Sequence, residues 1–393
     1  MSDSPLAGVT VIAMEQAVAV PFATRQLADL GARVIKIERP AGGDFARAYD
    51  TTVQGLASHF VWLNRSKESL TLDLKRPDIR ELLTRLIERA DVFVQNLAPG
   101  AADRLGLSAA VLRARDPRLI VCNVSGYGSS GPFAAKKAYD LLVQSEVGLL
   151  SITGTEETPS KAGVSIADIS GGMYAYSSIL AALLARTHSG EGMVLDVALI
   201  DTLGEWMGYA AYYTEYGGAA PPRTGATHAT IAPYGPVQTR DGAIVVAVQS
   251  NREWGQFCEH VLQQPALASD ARFETNRLRV QHREALTGAI EAVFAQLTLA
   301  EVLHRLEAAD LASANVNSVQ DYLRHPQLAH RDCWRDVGTP AGPVRMLIPP
   351  VRIDGVEPVM GDVPALGQHT QAVLEELAFD RDTIAHFAES GVI

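Results

Sequence analysis

Asp168 lies just ahead of Ser170, Gly171 and Gly172, so the stretch ADISGG joins a carboxylate to two positions that carry no Cβ. Where such a stretch opens a helix, its backbone N–H groups could face a bound acyl group beside a functional carboxylate. Glycines in a first turn cost about 1 kcal/mol each relative to alanine, so two of them imply close approach by a ligand or by another backbone. The plainer reading is an N-cap, a role for which Asp is among the best residues and which needs no chemistry.

The elements around Asp168 follow from apolar spacing. The run Val164 to Ala167 stops at Asp168, and Ile169, Met173, Tyr176, Leu180 and Leu183 then recur at helical intervals, placing Asp168 where strand or loop turns into a buried helix. At the start of the chain, Gly8–Met14 reads as a strand, Phe22–Gly31 as a helix closed by glycine, and Arg33–Glu38 as a second strand. That β-α-β unit implies parallel pairing with a right-handed crossover. Strands are expected at Leu70–Lys75, Asp91–Asn96, Leu119–Ser125 and Met193–Leu199, with a helix from Pro77 to Ala90 that has proline at its first position. This alternation is the pattern of a large open, mostly parallel, Rossmann-like α/β sheet, whose ligands bind in the loops after the strands' carboxyl ends. Those loops begin near Arg39, Lys75, Asn96 and Gly126.

A Gly-, Pro- and Thr-rich stretch from Tyr216 leaves this domain. Beyond it, Tyr234–Gln249 reads as a hairpin turning at Asp241-Gly242, followed by helical patterns from Arg252 to Ala309, a smaller α+β region. The expected organisation is 1–215 for the first part of the large domain, 216–326 for the small one, and 327–393 as a return segment completing the large one.

Composition removes several classes of function. The chain has 393 residues, 47% of them hydrophobic, enough for one large core or two domains. Its net charge of −11, with few aromatic residues and no basic stripe, argues against nucleic acid, and an anionic ligand would need a local basic pocket. No apolar run is long enough to span a bilayer, and no signal segment opens the chain, so no membrane partner is expected. Cys122, Cys258 and Cys333 are far apart, which points to a reducing cytoplasm and to neither a disulfide framework nor a metal knuckle. The ten histidines form no ligand-like cluster, so no metal is expected. Gly126-Tyr-Gly-Ser-Ser-Gly131 satisfies G-x-G-x-x-G but is followed by Pro132, Lys136 and Lys137 instead of an apolar helix start, so a turn accounts for it better than a dinucleotide fold. Serine-hydrolase, zinc-hydrolase and P-loop motifs are absent.

Eight segments in fixed order resemble family III CoA-transferases, the carnitine, bile-acid and formyl-CoA transferase group. They begin at Leu27 (LADLGARVIKIERP), Leu72 (LDLK), Asp91 (DVFVQNLAPGAADRLGL), Gly126 (GYGSSGP), Lys137 (KAYDLLVQSEVGLLSITG), Gly163 (GVSIADISGGM), Gly190 (GEGMVLDVALIDTL) and Leu366 (LGQHTQAVLEEL). The resemblance implies a two-domain fold, a homodimer of interlocked subunits, and a CoA thioester as substrate with no further cofactor. It makes Asp168 the nucleophile, passing through an aspartyl anhydride and an aspartyl-CoA thioester. Nucleophilic catalysis of this kind splits one hard exchange into easier steps, and donors such as the N–H groups near Gly171 and Gly172 would steady the oxyanion.

Carried across position by position, the resemblance places Arg39, Leu72, Lys75, Asn96, Arg104, Lys137 and Tyr139 around CoA, and Gln16 to Pro21 in a loop facing the site. There are departures: Ala19-Val20-Pro21 replaces the usual Ala-Gly-Pro, and no Gly-rich covering loop is found between Tyr216 and Arg240, which makes formyl-CoA and oxalate poor guesses. The segments from Tyr139, Ile231 and Gln249 resemble the dicarboxylate-using members most, implying succinyl-CoA as donor and an acceptor acid of the itaconate, mesaconate, citramalate or malate type. A second substrate carboxylate needs a cation or donors, for which Arg25 is a candidate unless Asp29 four residues on engages it, with Arg47, Arg223 and His228 as rivals. The alternatives are a 2-methylacyl-CoA racemase and a non-catalytic CoA-binding protein of the same fold. Related racemases use the histidine of a G-H-D segment as base, where this chain has Ala138-Tyr139-Asp140. A phenol, with an ordinary pKa of about 10, is a poor base at neutral pH.

Overall fold

The computed structural model describes residues 4–76 and 79–393. Six parallel strands form the main sheet: β1 (Thr10–Met14), β2 (Arg33–Glu38), β3 (Lys67–Thr71), β4 (Val92–Gln95), β5 (Ile120–Ser125) and β6 (Val194–Ala198), in the order β3-β2-β1-β4-β5-β6. The central strands β1, β2, β4 and β5 carry apolar residues on both sides because both faces of the sheet are covered there. Val11, Ala13, Val34, Val92, Val94, Ile120 and Cys122 pack toward the helices Ala19–Asp29, Ile166–Ser189 and Leu199–Trp206. Ile12, Met14, Ile35, Ile37, Phe93 and Val121 pack toward the helices Ile79–Ile87, Ala109–Arg115, Thr370–Glu376 and Arg381–Glu389.

Five of the six expected strands fall within a residue or two of their observed ends. The exception is β3, which begins at Lys67, three residues before the apolar signal at Leu70. Its polar start is buried through ion pairs instead, Lys67 with Glu15 and Glu68 with Arg33. The proline expected to open the Ile79–Ile87 helix lies outside the described residues.

By its internal contacts the chain divides into two compact units. The first comprises Met1–Val147, Ala162–Gly208 and Leu328–Ile393; the second comprises Gly148–Lys161 and Tyr209–Gln327. Within the second, β7 (Tyr234–Gln238) and β8 (Ala243–Ala247) form an antiparallel hairpin, β9 (Ser313–Asn315) pairs with β8, and Trp254, Phe257, Phe273 and Phe294 fill the core.

The return segment of the first unit contains a hairpin, β10 (Trp334–Val337) with β11 (Val344–Leu347), where the sequence suggests only extended chain. It then runs along the free edge of β3. His369 N donates to Ser69 O at 3.0 Å, Ser69 N to His369 Nδ1 at 3.1 Å, Thr71 N to Thr370 Oγ1 at 3.0 Å, and Asp73 N to Val392 O at 2.8 Å.

Candidate active site

All six strands of the sheet point their carboxyl ends the same way, and the strand order reverses between β1 and β4, where α/β sheets open a crevice. The loops after β1 and β4 are joined there. Gln16 N donates to Asn96 Oδ1 at 2.9 Å, and Asn96 Nδ2 returns a bond to Gln16 O at 3.0 Å. The next residue, Ala17, takes a left-handed conformation (φ 60°) and donates its N–H to Asp44 Oδ1 at 2.9 Å. A non-glycine residue at such an angle needs firm support.

Asp44 gains that support from a buried set of charges. Lys36 Nζ lies 2.7 Å from Asp44 and 3.2 Å from Glu15, while Lys67 Nζ lies 2.7 Å from Glu15. Burial alone would raise Glu15, but Lys36 and Lys67 override it and hold the carboxyl below its ordinary range. Lys67 is brought down to about 8 by burial, with Glu15 opposing and Lys36 assisting.

Asp168 is the third residue of the Ile166–Ser189 helix, inside the first turn and not its cap. The capping is done by Asp140, whose Oδ1 accepts from Ala167 N at 2.8 Å and from Asp168 N at 3.4 Å. Asp140 is fixed in turn by Gln144 Nε2 at 2.7 Å, and Gln144 Oε1 accepts from Ala162 N at 2.9 Å. The Asp168 carboxylate makes no hydrogen bond or ion pair among the described residues. Burial, together with the negative charge of Asp140, raises its pKa to about 7. Tyr49 stands close by, its hydroxyl raised by burial and by the charges of Asp44, Asp168 and Tyr139. A desolvated carboxylate without partners, next to the carboxyl ends of a parallel sheet, is equipped to attack an activated acyl carbon.

Comparison with known proteins gives the family. The sequence profile described as CoA-transferase family III matches residues 6–370. The chain belongs to CoA-transferase family III. A succinate–glutarate CoA-transferase of Agrobacterium fabrum is 35% identical over 386 residues, covering 95% of this chain and 96% of that protein. A succinyl-CoA:mesaconate CoA-transferase of Haloarcula hispanica is 30% identical over 379 residues, covering 93% and 94%. Among solved structures, a CAIB/BAIF family protein from Brucella suis superposes with a TM-score of 0.84 at 33% identity, covering 96% of this chain and 100% of that one.

In this family III transferase the basic residues expected around CoA fall on the carboxyl-end loops. Lys75, Arg104 and Lys137 are exposed and have no ion-pair partner among the described residues. Arg39 is exposed, bonded only to Gly43 O at 2.8 and 3.1 Å, and rests on the Phe45 ring. Tyr139 is 71% exposed immediately before Asp140. Leu72 is fully buried in the core, so only its main chain could meet CoA, and the Asn96 amide is spent on the Gln16 backbone. Gln16 Oε1 accepts from Phe45 N at 3.2 Å, which leaves the Nε2 donor unengaged among the described residues.

Other expectations need correction. Gly171 and Gly172 are the sixth and seventh residues of their helix, beyond the first-turn N–H groups that could serve an oxyanion. The close approach they imply is made by the protein: a Cβ on Gly172 would lie 2.6 Å from Ala19 O, and one on Gly171 would lie 2.2 Å from Leu199 Cδ2. Arg25 is buried against Asp29, at 3.2 Å, and Asp29 is also gripped by Arg65 at 2.7 Å. Asp29 also acts on Tyr176, which is eight residues, or about 12 Å, along the helix from Asp168. Arg47 is held by Glu38 at 2.7 Å and packed on Phe60. In the second unit, Arg223 donates to the carbonyls of Thr155, Ser151 and Glu156, and His228 stacks on Tyr234 with Nδ1 accepting from Thr230 N at 3.2 Å. The G-x-G-x-x-G run is a loop after β5, where a Gly126 Cβ would strike Ala138.

Asp140 and Tyr49 carry no mark of spacing in the sequence that points to the surroundings of Asp168. Asp140 lies 28 residues from Asp168 with no periodic relation to it, and the family segment Ala138-Tyr139-Asp140 was its one trace.

Proposed function

We propose that this enzyme transfers CoA from succinyl-CoA to a dicarboxylic acid of four or five carbons, with Asp168 as the covalent nucleophile. The observation that carries the proposal is the Asp168 carboxylate itself, desolvated, unpaired and raised to about 7. An Asp168 oxygen attacks the thioester carbonyl and expels CoA thiolate, giving an acyl-aspartyl anhydride. The thiolate attacks the aspartyl carbonyl, which forms the aspartyl-CoA thioester and releases the donor as its carboxylate. The acceptor carboxylate then attacks that thioester and expels thiolate, and the thiolate takes the acceptor's acyl group, restoring Asp168. Proton inventory is even throughout, since carboxylates and thiolate exchange places.

The Nε2 of Gln16, unengaged among the described residues, is the donor proposed for the oxyanions, in place of the helix glycines. Arg39, Lys75, Arg104 and Lys137 supply the local cations that CoA phosphates need in a chain of net charge −11. The relatives acting on glutarate and mesaconate support a dicarboxylate acceptor, which widens the itaconate, mesaconate, citramalate and malate set to include glutarate. We further propose a homodimer in the cytoplasm, supported by the family, by the exposed run Trp206, Tyr209, Tyr212, Tyr213 and Tyr216, and by three free, buried cysteines. Sedimentation equilibrium tests the dimer.

The function is tested with purified enzyme, succinyl-CoA and a panel of glutarate, mesaconate, itaconate, citramalate, malate, oxalate and butyrate, read by mass spectrometry. New CoA esters and a hydroxylamine-trapped adduct on the Asp168 peptide are expected, both lost in Asp168→Ala. Absence of any new ester overturns the reading. Rapid deuterium uptake at C2 of a 2-methylacyl-CoA in heavy water would favour the racemase instead.

A further inference from the structure

A row of aromatic residues in the first unit begins one turn from Asp168. One turn after Asp168, Gly172 packs against Phe22, whose Cδ1 lies 3.0 Å from where a Gly172 Cβ would stand. Phe22 meets Trp62 edge to face at 5.7 Å, Trp62 meets His59 at 6.5 Å, and His59 meets Tyr49 at 5.6 Å. The charge of Asp168 also reaches Tyr49. Three of these side chains, Phe22, Trp62 and Tyr49, are carbocyclic or indole; the fourth, His59, is an imidazole. His59 Nδ1 is buried and has no hydrogen-bond partner among the described residues, a costly arrangement for a polar atom unless a ligand completes it.

We propose that His59 reads the distal carboxylate of the acid substrate, donating to it from the ring N–H. This rests on the transferase reading above. The other side chains considered for that task are engaged: Arg25 by Asp29, Arg47 by Glu38, Arg223 by three carbonyls, and His228 by stacking on Tyr234 and through its Nδ1 by Thr230 N. Tyr49 lies within reach of the charge of Asp168, and His59 comes next along the row, 5.6 Å further by ring centroids. A diacid of four or five carbons separates its carboxyl carbons by about 4–5 Å, given C–C bonds of ~1.5 Å, which matches that step. An imidazole donates from one ring nitrogen when neutral and from both when charged, so the contact requires no particular protonation state.

The test is competition between glutarate and valerate, which carries a methyl group where glutarate has its distal carboxylate. With one donor, the ratio of glutaryl-CoA to valeryl-CoA formed is independent of the donor half-reaction. Wild type is expected to favour glutarate, His59→Phe to lower the ratio about 10–100-fold, and His59→Gln, which keeps an N–H donor, to restore part of it. A ratio unchanged in His59→Phe overturns the assignment while leaving the transferase standing. So does a wild type that takes both acids equally. Failure of wild type to make any CoA ester sinks the transferase reading itself.

A second readout does not depend on the folding of His59→Phe. In wild type labelled with [15N]histidine, glutarate but not valerate should move a ring resonance that is missing from His59→Gln. If no ring resonance responds, His59 does not touch the carboxylate.

Discussion

A carboxyl group in the first turn of a helix normally ionises easily, because the free N–H groups there favour negative charge. Asp168 is denied that help, since Asp140 occupies the N–H groups of Ala167 and Asp168 and adds its own charge. Two outcomes follow. The acid limb of kcat/KM is expected to fall away below an apparent pKa of about 7, and Asp140→Asn, which keeps an acceptor but removes the charge, should move that limb down by about 1 pH unit in a pH–rate profile. Stability runs the other way from that of an ion-paired acid. Below the unfolded carboxyl's pKa, about 3.9, Asp168 is protonated in both states and costs nothing; the penalty grows as pH rises and is complete above about 7. Asp168→Asn should therefore exceed wild type by about 1–3 kcal/mol in urea melts at pH 8 and match it at pH 4. Of these residues, Asp168 was legible in the sequence because its motif is local and distinctive. Asp140 and His59 were not, since a capping carboxylate from a distant loop and an unpaired ring nitrogen leave no periodic mark.

The packing of the Asp168 helix depends on what its glycines admit. On Gly172 the near neighbours are a backbone carbonyl and the Phe22 ring, neither free to withdraw; on Gly171 the neighbour is the end of the Leu199 side chain, which can turn aside. Gly172→Ala is expected to destabilise by about 1–3 kcal/mol, with Gly171→Ala milder, in denaturant titrations of both. Gly172→Ala should also slow transfer, because Phe22 is the first member of the aromatic row. Parallel strands and amphipathic helices were read correctly wherever burial meant apolar residues. The start of β3 was not, because Lys67 is buried against Glu15 and Glu68 is paired with Arg33 of β2. The glycines were read as making room, which is correct, but composition could not tell a ligand from a neighbouring helix.

At the scale of the molecule, the sequence signalled the departure at Tyr216 through its glycines and prolines, and the structure starts its second unit at Tyr209. Nothing in composition marks Gly148–Lys161 as belonging to that unit, since its membership is set by contacts far along the chain. The first unit is likewise discontinuous, and the edge of β3 is covered only by residues near the end, His369, Thr370 and Val392. A chain ending at Gln327 is expected to aggregate more than the 393-residue chain in a pelleting assay, because it leaves that strand edge open. The same feature sets a schedule for the ribosome. The 119 residues from Tyr209 to Gln327 emerge before the closing segment, which at about 5–20 residues per second is roughly 6–24 s of synthesis. Throughout that interval the six strands are already made while their outermost edge waits for a partner. An unpaired strand edge is the kind of surface that chaperones shield, and the sheet is sealed only once the return segment emerges to pair with it.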